Sequence, residues 1–137
     1  MIRAVLDTNV VVSALLNPLG PMASILNLAA LRRFRCYVSG PILEEYAKVL
    51  GRAHLGLNER TIFRSMERLR RSAVLVEPRR QVRACMDAED NKFLECALEA
   101  RADYVVTGNV RHFPVRFQDI RVLLPRQFLT ALASEPR

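Results

Sequence analysis

The sequence has few cysteines and no long apolar run. Its three cysteines form no CxxC pair and leave an odd number, which argues against a disulfide framework and against a structural zinc site. No apolar stretch approaches the ~20 residues of a membrane span, and the acid at position 7 comes before a signal-peptide core could form. We therefore expect a cytoplasmic protein without a membrane partner.

Motifs of several common enzyme classes are also missing. Neither a GxGxxG turn nor a P-loop is present, so a dinucleotide cofactor or a nucleoside triphosphate site has no support. There is no GxSxG elbow, and His54 and His112 lack the spacing of a zinc protease. The chemistry of the protein must therefore come from other side chains.

What the sequence has in excess is positive charge, carried mainly by arginine. The net charge is +7, and 19 of the 21 basic residues are arginine. The middle of the chain is the most basic part, with eight basic and three acidic residues over 58–83. Because the guanidinium group matches phosphate oxygens, RNA or DNA would suit this surface. Solvated arginines without a partner are the alternative.

Short apolar segments alternate with amphipathic segments along the chain. Strands alternating with helices indicate a parallel sheet, because crossovers between parallel strands need helices. No linker or repeat interrupts the pattern, so we predict a single α/β domain over residues 1–137. Its parallel sheet should have about four to five strands, with helices on both faces. The predicted strands are residues 2–7, 36–39, 73–77, 103–108 and 120–124, and the predicted helices are 10–18, 22–33, 40–50, 58–72, 89–102 and 126–133.

The predicted helix over 58–72 carries a stripe of arginines. Asn58 fits its N-cap position, and apolar residues share one face. Arginines four residues apart repel one another, and only Glu67 compensates them within this segment. Binding of RNA or of an acidic partner is one interpretation of the stripe, and a solvated face is the other. The stripe consists of Arg60, Arg64, Arg68 and Arg71.

Acidic and amide side chains follow the ends of the predicted strands or begin the helices next to them. Sites in open parallel sheets form beyond the carboxyl ends of the strands, so these side chains can converge. Three carboxylates ~5 Å apart repel by ~3 kcal/mol per pair at an effective dielectric near 20, and a divalent cation removes this conflict. With magnesium, such a site can hydrolyse a phosphodiester without a protein nucleophile. The candidates are Asp7, Glu44, Glu45, Asp87, Asp90 and Asn109.

Some of these acids also have purely structural interpretations. Asp7 can cap the helix that follows it, and Glu44 is an ordinary acid early in a helix. Asp87 can cap the helix that begins near residue 89, with Asp90 completing a box-like arrangement. We expect a division of roles, in which Asp87 or Glu89 supports the helix start while Asp90 points to the ion.

Four stretches carry a family resemblance: LDTNVVVSALL at 6–16, SGPILEEYAKVL at 39–50, DAEDNKFLECALEARADYVVTGN at 87–109 and HFP at 112–114. In this order and spacing the chain resembles PIN domains, in particular the VapC-like toxins of bacterial and archaeal toxin–antitoxin pairs. The resemblance implies a ribonuclease that uses one or two Mg²⁺ or Mn²⁺ ions. The partners it implies are RNA, a cognate antitoxin and a second copy in a homodimer.

Site residues follow from the resemblance by position. Asp7, Glu45 and Asp90 match the acids of the family, and Asp87 matches an additional acid common in this group. Asn9 and Thr107 match polar residues that orient the acids or a water. The implied catalytic residues are Asp7, Glu45, Asp90 and Asn109, the implied metal ligands are Asp7, Glu45, Asp87 and Asp90, and the implied supporting residues are Asn9 and Thr107.

One position departs from the family pattern. Asn109 stands where many PIN domains have a fourth acid, so the site loses one negative charge and we expect a weaker hold on a second ion. This leaves open a weakly active or non-catalytic RNA-binding module of the same fold. An aspartyl-phosphate enzyme with Asp7 as nucleophile is a third interpretation, which Asn9 at the second acid position disfavours.

Overall fold

A computed structural model describes residues 1–136, and its centre is a six-stranded sheet. Across the sheet the strands have the order β3-β2-β1-β4-β6-β5, and every pair is parallel except β5 with β6. The predicted α/β fold with a mostly parallel sheet is therefore confirmed. The strands are β1 (Arg3–Leu6), β2 (Arg35–Val38), β3 (Val74–Leu75), β4 (Tyr104–Val106), β5 (Arg116–Phe117) and β6 (Ile120–Leu123).

Six α-helices flank this sheet, and their ends follow local sequence signals. The first helix ends two residues before Pro18, which cannot continue a helix. Asn58 caps the fourth helix as predicted, since its Oδ1 accepts from the Thr61 N–H at 2.7 Å. The helices are α1 (Thr8–Leu16), α2 (Pro21–Ala30), α3 (Gly40–Leu50), α4 (Glu59–Ser72), α5 (Asn91–Ala100) and α6 (Pro125–Ala133).

The sheet has one strand more than the four to five predicted. The additional strand, β5, has two residues and pairs with β6 across a turn in which Gln118 adopts a positive φ of 54°. A two-residue segment is too short to show the alternation that identifies strands in a sequence. The predicted strand over 73–77 is also reduced to Val74–Leu75, because it lies at the edge of the sheet and pairs only with β2.

Two short helices near the amino terminus are apolar, as helices that cross a membrane are. No single helix within residues 1–136 is long and apolar enough to do so. Only α1 and α2 taken together have the length and composition of a membrane span, and the pair is bent by 105°.

Strand β1 lies in the middle of the sheet and fixes the position of Asp7. Ala4, Val5 and Leu6 are fully buried, and the Asp7 N–H donates to the Val106 carbonyl at 2.9 Å. The buried Tyr46 hydroxyl of α3 donates to the Leu6 carbonyl. This contact ties the centre of α3 to the last residue of β1, so Glu45 on α3 is held near Asp7.

We predict that Tyr46→Phe destabilises the protein by about 1–2 kcal/mol, because the hydroxyl bonds a buried carbonyl. Urea unfolding of parent and variant measures this difference. Tyr104→Phe is the matched control, since the Tyr104 hydroxyl makes no hydrogen bond within residues 1–136. Equal losses in the two variants would contradict the assigned role of Tyr46.

Candidate functional site

An open cleft of about 900 Å³ lies beyond the carboxyl ends of the central strands. Its lining comes from segments far apart in sequence: the start of α1, the length of α3, the approach to α5, and the segment after β4. Most of the residues predicted for a site at this edge face it. Those that line the cleft are Asp7, Asn9, Glu44, Glu45, Asp87, Asp90 and Asn109.

Asp7 is the most buried acid of the cleft, with 7 % of the residue exposed. Its Oδ1 accepts from the Thr8 N–H at 2.7 Å, so the carboxylate caps α1. Its Oδ2 accepts from the Thr107 hydroxyl at 2.7 Å and from the Asn9 side-chain amide at 3.1 Å. The structural and the functional interpretation of Asp7 are thus compatible, because one oxygen caps the helix while the residue still lines the cleft.

Thr107 and Asn9 connect the end of β1 to the end of β4. Thr107 is fully buried beneath the cleft, and its hydroxyl oxygen accepts from the Asn109 N–H at 2.9 Å. The Asn9 Oδ1 accepts from the Gly108 N–H at 3.0 Å. The turn after β4 is therefore fixed relative to Asp7, and Asn109 borders the cleft from that turn.

Glu45 is engaged by protein donors on both of its oxygens. The Lys92 ammonium lies 2.7 Å from Oε1, and the Thr8 hydroxyl donates to Oε2. Lys92 also reaches Glu89 Oε2 at 3.2 Å. Burial alone lowers the pKa of Lys92, but its hydrogen bonds and charge attraction to Glu45 and then Glu89 outweigh burial and raise the pKa.

Sequence reasoning missed Lys92. Its spacing of three residues from Glu89 is a recognisable pair on one helix face. The contact with Glu45, 47 residues away, depends on how α3 and α5 pack and leaves no local signal. The cleft therefore contains an internal cation that partly compensates its acids.

Asp87 and Asp90 have different surroundings. The Asp87 Oδ1 accepts from the Glu89 N–H at 2.9 Å and so caps the short 3₁₀ turn Ala88–Asp90. Asp90 makes no capping bond, and its Oδ2 lies 3.9 Å from His112 Nδ1. The Asp90 carboxylate is thus left available to the cleft.

Burial and repulsion by neighbouring acids disfavour the charged forms of Asp7 and Asp90. The pKa of Asp90 is raised to about 6, first by burial and then by the charges of Asp7 and Asp87. The pKa of Asp7 is also raised, mainly by burial and further by Glu45, although Thr107 and Thr8 hydrogen bonds oppose this shift. A cation bound between them would favour both carboxylates.

Asn91 is a second residue that sequence reasoning missed. Its side chain is buried, and its Oδ1 accepts from the Ala84 N–H at 3.1 Å and the Cys85 N–H at 2.9 Å. These bonds hold the segment that leads into Asp87. An asparagine at the start of a helix resembles an ordinary polar residue, so only its burial in the fold reveals the role.

The positive charge that borders the cleft does not come from the arginine stripe. Lys48, Arg52 and Lys92 line the cleft together with His54 and His112. The stripe lies on the exposed face of α4 and contributes no residue to this lining; Arg68 instead bonds Asn27 Oδ1 at 2.9 Å. RNA binding by the stripe stays a prediction.

The carboxylate and amide oxygens of the cleft suit a hard divalent cation chemically, but they are not gathered around one ion position. Within residues 1–136, no three side chains of the types His, Cys, Asp and Glu form a group that could hold an ion. Two of the acids are engaged within the protein, since Glu45 binds Lys92 and Thr8 and Asp87 caps a turn. Asp7 and Asp90 are the two carboxylates whose raised pKa values a cation would relieve.

Most of the chain matches a known protein family. The profile of the PIN domain family matches residues 3–111, which include every predicted acid and Asn109. This chain belongs to the PIN domain family. PIN domains are generally nucleases and typically bind divalent metal ions. The chain is also similar to an uncharacterized protein of Methanocaldococcus jannaschii, with 32% identity over 141 residues covering 93% of this chain and 90% of that protein.

We predict that Asp90→Asn stabilises the metal-free PIN domain at neutral pH and not in acid. The folded-state pKa of about 6 exceeds the ordinary 3.8, so the stability contributed by the neutral carboxyl is full below about pH 4 and lost as the pH rises through about 6. The amide stays neutral throughout. The free energy of unfolding of the variant should exceed that of the parent by on the order of 1 kcal/mol at neutral pH. This value includes a discount for solvent screening at an open cleft.

Melting temperatures with a chelator, measured at about pH 4 and about pH 7.5, test this expectation. Asp119→Asn serves as the control, because Asp119 is exposed between β5 and β6. A difference between Asp90→Asn and the parent that is the same at both pH values would refute it.

Proposed function

We propose that this PIN domain is a divalent-metal-dependent endoribonuclease. The observation that carries the proposal is the pairing of Asp7 and Asp90 in one open cleft, where burial raises both pKa values and the charge of Asp7 raises that of Asp90 further. A cation bound near both acids favours their charged forms. An open cleft bordered by Lys48 and Arg52 can admit a polyanionic strand, which a closed pocket would exclude.

The residues of the chain have distinct roles in this proposal. Asp7 and Asp90 would hold Mg²⁺ or Mn²⁺, which when bound acts as a Lewis acid towards a phosphodiester and activates water for its hydrolysis. Thr107 and Asn9 orient the Asp7 carboxylate through hydrogen bonds of 2.7 and 3.1 Å. Glu45 and Asp87 are further ligand candidates, but Glu45 is already bound to the Lys92 ammonium, and one Asp87 oxygen caps a turn. We therefore favour one bound ion over two.

The biological setting is proposed from the resemblance to VapC-like proteins. We infer a toxin of a toxin–antitoxin pair, located in the cytoplasm, that acts on RNA and is held inactive by a cognate antitoxin. A homodimer belongs to the same proposal. Three cysteines without a disulfide suit a reducing compartment.

We predict that the protein cleaves RNA with Mn²⁺ or Mg²⁺ and that Asp7→Asn lowers the rate by roughly 100-fold or more, as expected for loss of a ligand. Gel analysis of an end-labelled single-stranded RNA measures the rate, and excess EDTA should abolish it. Asp119→Asn, which changes an exposed acid outside the cleft, should cleave like the parent.

Cleavage that survives EDTA, or equal rates for Asp7→Asn and the parent, would overturn the proposal. The toxin role has its own readout, which is the growth of a bacterial host that expresses the parent or Asp7→Asn. Growth arrest by both proteins would separate toxicity from cleavage and remove the support for a toxic nuclease.

A second candidate function is an RNA-binding module with little or no cleavage. It is favoured by Asn109, which lines the cleft as a neutral amide, and by the cation Lys92 already bound to Glu45. Such a module would bind RNA in a salt-sensitive manner without a metal.

Asn109→Asp distinguishes the two functions. The new carboxylate should tighten Mn²⁺ binding and raise cleavage several-fold, because it adds a hard oxygen ligand and a negative charge to the cleft. Calorimetric titration with Mn²⁺ and the cleavage assay measure both effects. If neither Mn²⁺ affinity nor rate changes, the importance assigned to this position is wrong.

A further inference from the structure

A smaller groove of about 310 Å³ adjoins the acidic cleft. Pro41 and Lys92 line both, so the groove continues from the cleft past the Lys92 ammonium. Its outer wall is formed by Arg79 and Arg80, in the segment between β3 and α5. These arginines belong to the basic middle of the chain but not to the stripe on α4.

The backbone of this segment is fixed by one face of α5. Glu99 Oε1 accepts from the Arg79 N–H at 3.2 Å, and Glu95 Oε2 accepts from the Val82 N–H at 2.9 Å. Asn91 holds two further N–H groups, at residues 84 and 85. Residues 91, 95 and 99 are spaced by four and therefore share one helix face. The helix thus holds a segment that has no regular structure of its own.

The arginine side chains themselves are free. Arg79 and Arg80 are exposed, and within residues 1–136 neither makes a salt bridge or a side-chain hydrogen bond. Glu95 is the acid that also lines the groove, and one of its oxygens is bound to Val82. The Lys92 charge is compensated by Glu45 and Glu89. Glu77 and Glu99 lie near Arg79, but neither forms a salt bridge with it within residues 1–136. The two guanidinium groups at this end of the cleft are therefore exposed, outside any salt bridge and carried on a fixed backbone.

We propose that this groove binds the phosphate backbone of single-stranded RNA where the strand leaves the cleft. The inference rests on the proposed ribonuclease function and adds the path of the substrate. Guanidinium groups bind phosphate oxygens in two-point contacts, and a fixed segment loses little conformational freedom on binding. The contacts are to phosphates, so the groove does not read the base sequence.

The experiment measures binding of a fluorescent single-stranded RNA by anisotropy with EDTA present, so that cleavage does not consume the probe. At about 0.1 M salt, Arg79→Ala with Arg80→Ala should weaken the Kd roughly tenfold, and the slope of log Kd against log salt should fall by about 1.4 because two phosphate contacts are lost. Arg79→Lys with Arg80→Lys should keep most of the binding, which separates loss of charge from disruption of the segment.

The matched control is Arg33→Ala with Arg121→Ala, which removes the same charge from two exposed residues near the starts of strands β2 and β6, at the end of the sheet away from the cleft. It should change the Kd less than twofold. The inference is overturned if the Arg79 and Arg80 variant binds like the parent or loses no more affinity than this control. It is also overturned if Arg60→Ala with Arg64→Ala abolishes binding instead.

These outcomes are distinct from failure of the proposed function. If the parent cleaves RNA and Asp7→Asn does not, while the Arg79 and Arg80 variant binds normally, only the groove assignment fails. If the parent neither binds nor cleaves RNA under any metal condition, both proposals fail.

Discussion

The site depends on one constraint, which is that Asp7 must stand at the end of the most buried strand. Its N–H continues the sheet to Val106, while its carboxylate is surrounded by donors from Thr8, Asn9 and Thr107. These donors only partly offset the cost of burying a charge, because the pKa of Asp7 is still raised. A cation that reaches the Asp7 carboxylate therefore stabilises its charged form. The other residues of the cleft determine which cations can reach it.

Lys92 is a cation that the chain itself supplies, and it separates the acids of the cleft into those that bind it and those that do not. By binding Glu45 and Glu89 it partly neutralises two acids of the cleft, whereas Asp7 and Asp90, whose pKa values are raised, do not bind it. A site with fewer free acids and a neutral Asn109 carries less negative charge than a fully acidic one. It repels a phosphate strand less, but it also holds a metal ion less firmly. The balance between cleavage and binding thus depends on the same few charges.

Much of this fold could be predicted from sequence, since alternating strand and helix patterns are local and strong. The convergence of Asp7, Glu45, Asp90 and Asn109 on one cleft follows from the rule that strand ends meet at one edge. The two-residue strand β5 was missed for lack of length. Lys92 and Asn91 were missed because their partners lie on other segments, at distances in sequence that no periodicity encodes. Whether the aligned acids act as ligands stays a prediction.

Helix α5 is the element that joins these features. Its first turn presents Asn91 to the preceding segment and Lys92 to α3, directly after Asp90 has faced the cleft. Further along the same helix, Glu95 and Glu99 hold the segment that displays Arg79 and Arg80. A rotation or shift of this single helix would therefore move an acid, a cation and the basic groove together. For this reason the chemistry of the cleft and the path of a bound strand should be coupled, even though the arginines contribute no side chain to the acidic cleft itself.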